Sequence, residues 1–130
     1  MYVDDLTLDR DVRALLTCAA GAGGIDAYLS GRWQTVGWMH DGRLVSAALL
    51  RVESSRVAVL LISTRHDFRG HSHGSSLIRS VAAAFDPLPL VAETDEEAVG
   101  FYRRIGAQVV PVDSPWPMQR YRCVLRLPQT

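Results

Sequence analysis

Apolar residues change their spacing several times along this chain, and each change marks an element. Residues 2–8 predict a short first strand. Val12, Leu15, Leu16 and Ala19 then recur at helical spacing behind Asp9 or Asp11, either of which can cap the helix. Gly-Ala-Gly-Gly at 21–24 stops it, and Ile25 to Leu29 predicts a second short helix ending near Gly31. From Trp33 the period becomes that of a sheet: Thr35 to Met39, the turn dipeptide Asp41-Gly42, and Leu44 to Val52 predict a hairpin. Ser54-Ser55 turns the chain again. Val57 to Ile62 is apolar at every position, as expected of a strand covered on both faces, so it is assigned to the middle of the sheet.

The stretch 64–85, TRHDFRGHSHGSSLIRSVAAAF, takes the chain from that strand through a glycine-flanked polar turn into a helix. Leu77, Ile78, Val81, Ala82 and Phe85 form the apolar face, opposite Ser76, Arg79 and Ser80, and Asp86-Pro87 ends the helix. Leu88 to Ala92 is read as a strand parallel to Val57–Ile62, with pairing interrupted at Pro89, which lacks a donor. Thr94 and Glu97 have the spacing of a capping box, which predicts a second helix beginning at Thr94. Ala98, Phe101, Tyr102 and Ile105 mark its inner stripe and Gly106 its end. Val109-Val110 predicts a strand, PVDSPWP at 111–117 a proline-stiffened loop, and Gln119 to Leu127 a last half-exposed strand.

Length and composition narrow the function without choosing it. With 130 residues and 48% hydrophobic content the chain is read as one domain with its own core. Fourteen basic and 14 acidic residues cancel, and neither sign is gathered into a block, so nucleic acid and anionic membranes are not expected partners. The longest apolar run, Val57 to Ile62, falls far short of the roughly 18 residues of a membrane helix, and MYVDDLTLDR lacks an apolar signal core. A cytoplasmic location is the expectation. Cys18 and Cys123, far apart and without ligand spacing, are read as buried free thiols, and no metal site is expected.

The polar turn carries the chemistry. A helix start offers unpaired N–H groups and a partial positive charge, which suit a phosphate. As a bare pattern, Gly70-His71-Ser72-His73-Gly74 also reads as G-x-S-x-G, the nucleophile elbow of serine hydrolases. That enzyme class needs a His after the Ser and its acidic partner, and no His follows His73. The segment Ile62 to Ile78 instead resembles the acetyl-CoA-binding motif of the GNAT superfamily of N-acetyltransferases, Arg/Gln-x-x-Gly-x-Gly/Ala between strand and helix. Arg69 takes the first position of that motif and Gly74 the last, after Asp67-Phe68-Arg69-Gly70. Glu93-Thr94-Asp95 followed by Ala98 to Gly106 resembles the family's second motif, and together the resemblance covers about three quarters of the chain. Ser72 replaces the family's middle glycine, Thr64, His66 and His73 replace Val, Pro and Ile, and Asp95 replaces Asn.

The resemblance implies an α/β (α+β) fold, a mixed, mostly antiparallel sheet with helices on both faces, and transfer of acetyl from acetyl-CoA to an amine by direct attack. Backbone N–H groups over Arg69, Gly70, His71, Ser72, His73, Gly74 and Ser75 would hold the pyrophosphate. Pantetheine would lie along Ile62, Ser63 and Thr64, with Asp95 and Tyr102 on its other side. Tyr102 matches the family's general acid. The base is open among Glu53, His66 and Glu93, directly or through water. The acceptor, a small-molecule or protein amine, would lie between the early helices and the loop carrying Trp116, and a homodimer is allowed for. The alternative from another class is a non-catalytic GNAT-like binding or interaction domain whose acetyl-CoA site Ser72 has weakened.

Overall fold

A computed structural model describes residues 1–20, 24–115 and 117–127. Among the described residues one seven-stranded sheet carries three α-helices, in the strand order β1-β2-β3-β4-β5-β7-β6. The elements are β1 (Tyr2–Leu6), α1 (Arg10–Ala20), β2 (Trp33–His40), β3 (Arg43–Val52), β4 (Val57–Thr64), α2 (His73–Ala84), β5 (Leu90–Asp95), α3 (Val99–Arg104), β6 (Gln108–Val112) and β7 (Arg120–Leu125). Ile25–Tyr28 and His66–Phe68 are short 3-10 turns. Among the described residues only β4 and β5 pair in parallel, and every other ladder is antiparallel.

Local chemistry accounts for most boundaries. Asp9 is the cap of α1, its Oδ1 accepting the Val12 N–H at 3.0 Å. Val12, Leu16 and Ala20 then fall on one buried stripe. Ala19 is exposed, as is Cys18, so of the two thiols only Cys123 is buried. Of the expected helix stop at 21–24, residues 21–23 lie outside the described residues, as does Trp116. At the β2–β3 turn Asp41 (φ 50°) and Gly42 (φ 76°) are both left-handed, the backbone a two-residue hairpin of matching twist demands.

Two sequence expectations yield to the sheet. The strand after α2 begins at Leu90 rather than Leu88; the Pro89 carbonyl accepts the Val57 N–H at 3.0 Å, and the ladder starts one residue on. It also runs through Glu93, Thr94 and Asp95, which face Arg122, Tyr121 and Arg120 of β7. Extended pairing therefore claims Thr94, and no capping box forms. Asp95 instead closes the turn that precedes the helix, its Oδ1 accepting the Ala98 N–H at 3.0 Å; Ala98 is the N-cap residue, without a side-chain cap, and α3 starts only at Val99. Val99, not Ala98, is buried on its inner side.

Two cores flank the sheet. One packs Leu77, Ile78 and Val81 of α2 and Val99 and Tyr102 of α3 on Val57, Val59 and Ala92. The other packs Val12 and Leu16 of α1 on Ala47, Leu49 and Leu61. Strict alternation would put Val57, Val59 and Leu61 on one face. They divide because the β3–β4 register shifts between Leu49 and Leu50: Leu49 faces Leu61 and Leu50 faces Val59, leaving Leu60 as the extra residue of a bulge. The uninterrupted apolar run thus serves both cores, as expected of a central strand, with the bulge exchanging the faces midway.

Candidate active site

The bulge matters because of what happens across from it. The parallel ladder joins Val57 to Leu90, Ala58 to Val91 and Val59 to Ala92, and then ends. β4 continues to Thr64 and β5 to Asp95, so beyond Val59 and Ala92 their facing edges carry polar groups with no ladder partner. Between them opens a cleft of ≈ 980 Å³. An extended chain bearing amides can pair with such an edge as an added strand would.

The turn leading into α2 forms the cleft's polar end. Ser72 is the N-cap residue at φ 65°, ψ 18°, a left-handed conformation, and its side chain caps nothing. Gly70 is left-handed as well, at φ 85°. Alternation of left- and right-handed backbone gathers successive N–H groups into a concavity suited to an anion. Among the described residues the backbone N–H groups of Gly70, His71, Ser72, His73, Gly74 and Ser75 have no protein acceptor; the first to be satisfied is that of Ser76, on the Ser72 carbonyl at 3.0 Å. No imidazole bonds the exposed Ser72 hydroxyl among the described residues, so the arrangement of a nucleophile elbow is not made. α2 lies close to α3 and β4 at Gly74, where a Cβ would stand 3.4 Å from both Phe101 Cε1 and Thr64 Oγ1, at the near edge of ordinary contact. Thr64 is itself held from beneath, since fully buried Ser46 Oγ bonds Thr64 Oγ1 and the Ser63 carbonyl, both at 3.0 Å.

Most of the residues expected at the site come together here. Ile62, Ser63, Thr64, Arg69, Gly70, Ser72, His73, Gly74, Ser75, Glu93, Asp95 and Tyr102 all line the cleft. His71 is exposed beside it, and His66 begins the preceding 3-10 turn; neither lines it. Glu53 lies apart. It is in the turn between β3 and β4, at the opposite end of β4, where it pairs with Arg56 Nε at 2.7 Å.

Tyr102 is 5% exposed, with its ring 5.0 Å from that of Phe101 in an edge-on contact. Burial, and after it the neighbouring Cys123, pushes the phenol's pKa well above the ordinary value, so the group keeps its proton. Glu93 is the first β5 residue past the end of the parallel ladder, and its Oε1 pairs with Arg122 Nη2 at 3.2 Å. Sequence reasoning had no signal for Cys18, Ala19 and Tyr28, which the N-terminal third contributes to the cleft, or for Arg104 and Arg120. Among the described residues no three His, Cys, Asp or Glu side chains are grouped to hold a metal ion.

Rings form a wall on the side of the turn away from α3. β3 runs antiparallel to β4, so the β2–β3 turn descends beside the end of β4. His40, the last residue of β2, thereby lies with its ring 4.8 Å from that of His73. Phe68 is 6.0 Å and His71 6.1 Å from His73, and the Arg43 guanidinium stands 5.3 Å over Phe68. His73 is thus half-buried among rings. A reading of the hairpin register would have brought His40 to this place.

No protein-family model and no curated protein sequence matches the chain. Solved structures do. A GNAT family acetyltransferase from Elizabethkingia anophelis with acetyl-CoA bound is similar at a TM-score of 0.76 and 14% identity, covering 98% of this chain and 97% of that one. The IAA acetyltransferase from Bacillus cereus is similar at a TM-score of 0.74 and 12% identity, covering 98% and 99%. An acetyltransferase from Bacillus subtilis in complex with CoA is similar at 0.74 and 13%, covering 97% of each chain. Over nearly its whole length, with β4 and β5 parting beside the turn into α2, the chain has the fold of the GNAT acetyltransferases.

Proposed function

We propose that the protein is an acetyl-CoA-dependent N-acetyltransferase that moves acetyl to an amine by direct attack. The observation that carries this is the coincidence, at one end of one cleft, of six successive unaccepted N–H groups (Gly70 to Ser75) with the parted edges of β4 and β5. Acetyl-CoA presents matching chemistry: anionic phosphates, an amide-bearing arm, and a thioester activated toward amines. In this reading the turn binds the pyrophosphate, assisted by Arg69, and the edge at Ile62, Ser63 and Thr64 pairs with the arm. Ser46 keeps that edge in place through Thr64. Asp95 lines the cleft and acts indirectly, by closing the turn that leads into α3.

The remaining residues then take roles in proton and charge handling. The β4 edge past Val59 offers N–H donors to the thioester oxygen as it gains charge. An amine must lose a proton to attack. Among the described residues three carboxylates line the cleft, Glu93, Asp95 and Glu97; Glu93 stands first past the end of the parallel ladder and serves as the base, directly or through water. Glu53, at the far end of β4, takes no part. Tyr102 donates a hydrogen bond to the departing thiolate; a phenol held this firmly protonated stabilises the charge without giving the proton up fully. The acceptor enters from the α1 side, past Cys18, Ala19 and Tyr28. The test is acetyl-CoA-dependent release of free thiol across a panel of amines, together with binding of acetyl-CoA itself. Binding without turnover on any amine would favour the non-catalytic domain.

A further inference from the structure

The ring wall contains a feature that the transfer reaction does not require. His73 is both the first residue of α2 and a lining residue of the cleft, and its imidazole is packed against a second imidazole from a different strand. The groups around it are mostly cationic or able to become so. They are His40 from β2, His71 from the turn, Arg43 from β3 over Phe68, and the N-terminal amine at the start of β1, which bonds the Met39 carbonyl at 2.6 Å. The connecting turn adds Asp67 and Arg69. Asp41 is the nearby carboxylate of the hairpin, and it is spent on His40, with its Oδ2 at 3.4 Å from His40 Nε2. A helix N-terminus also disfavours a cation.

We infer that the His73 imidazole, held against His40, takes up a proton from solvent when the cofactor's phosphates arrive at the turn, so that acetyl-CoA binding tightens as pH falls. This rests on the reading of the turn as a phosphate site. In the free protein, burial first, then His40, His71 and the N-terminal amine, lowers the His73 pKa below the ordinary value, so the ring is neutral at neutral pH. Phosphate on the N–H groups of Gly70 to Ser75 places negative charge on the same backbone turn as His73. At an effective dielectric of about 20, one such charge about 6 Å away raises the proton affinity of an imidazole by about 10²-fold. The free state then resists the proton and the bound state attracts it. By linkage the two must be reciprocal: whatever binding does to proton affinity, the proton does to binding. Asp41 moderates the effect by keeping company with His40, and the cluster makes cofactor retention sensitive to pH near neutrality.

The experiment follows the imidazole Cε1–H resonances of the four histidines against pH, with and without saturating acetyl-CoA, and assigns His73 by its loss in His73→Gln. The expected result is a His73 midpoint below that of a free histidine in the apo protein, rising by at least one pH unit when acetyl-CoA is bound, while exposed His66 stays in place. His40→Gln should raise the apo midpoint of His73. Wild type should bind acetyl-CoA at least fivefold more tightly at pH 6 than at pH 8 relative to His73→Gln; the titration of the nucleotide's own phosphate is common to both proteins and cancels. A His73 midpoint that does not move in a demonstrably bound protein overturns the inference and leaves the cofactor reading standing. If acetyl-CoA neither shifts a resonance nor raises the melting temperature, the cofactor reading falls and this inference with it.

Discussion

Glu93 Oε1 pairs with Arg122 Nη2 at 3.2 Å across the β5–β7 ladder, at the first β5 residue beyond the parallel pairing. The pair keeps a half-exposed carboxylate at the mouth of the cleft, where it can take a proton from an incoming ammonium. Glu93→Gln should therefore lower kcat/KM for the amine by about 10²-fold, the low end for loss of a general base. Affinity for acetyl-CoA should change less than twofold. Glu53→Gln, which breaks only a surface pair with Arg56, serves as the comparison and should leave turnover intact. Equal effects of the two changes, measured as initial rates of thiol release, would remove Glu93 from the mechanism.

Ser72 holds a left-handed conformation at φ 65° with a side chain that bonds nothing in the turn. A residue with a Cβ pays roughly 1–2 kcal/mol for that backbone, and glycine does not. Part of the gain is offset by the greater freedom of glycine in the unfolded chain. Ser72→Gly is accordingly expected to stabilise the protein by about 1 kcal/mol, raising Tm by about 3–6 °C, and to bind acetyl-CoA more tightly because the backbone is open to a closer approach. A lower Tm by calorimetry, with weaker binding, would mean that the hydroxyl has a partner in the bound state.

Alkaline pH probes the two buried phenols. Burial, then Asp4 and Asp5, raises the Tyr2 pKa to about 12, and burial raises that of Tyr102 still further. Unfolded tyrosines titrate near about 10. The folded state thus holds protons that the unfolded state releases, so this contribution to stability is intact below about pH 10 and is lost as pH rises through the folded values. Tyr2→Phe and Tyr102→Phe should each flatten the fall of the urea midpoint between pH 9.5 and 11.5. Slopes equal to that of wild type would contradict the burial argument. In kinetics, Tyr102→Phe should cost about 10²-fold in kcat, the size of losing one donor at a developing charge, with little change in KM for acetyl-CoA. No alkaline limb below pH 10 should trace to Tyr102.

Much of this architecture was legible from residue pattern alone, for physical reasons that can be named. The two-residue turn at Asp41-Gly42 and the helical stripe Leu77–Ile78–Val81–Ala82 are local: their backbone angles and burial follow from near neighbours. The start of α3 was not legible. Thr94 and Glu97 satisfy the spacing of a capping box, yet Thr94 is held in β5 by its pairing with Tyr121, 27 positions later. Non-local pairing outweighs a local cap here. The bulge at Leu60 is equally silent, because an unbroken apolar run looks the same with or without an extra residue. For the site, Arg69 to Ser75 could be found because a turn between strand and helix is contiguous. The approach of His40 to His73 could not be read without the register of β2, β3 and β4, and the cleft contributions of Cys18 and Tyr28 depend on how α1 packs.

The central claim is that the N–H groups of Gly70 to Ser75 and the parted strands hold acetyl-CoA, and a thermal melt with added acetyl-CoA tests it most directly. A ligand at about 100 times its dissociation constant that binds only the folded state adds about 2.7 kcal/mol of stability. The account predicts a rise in Tm of several degrees with acetyl-CoA or CoA, and a much smaller one with pantetheine lacking the phosphates. An unchanged Tm at millimolar acetyl-CoA would contradict it.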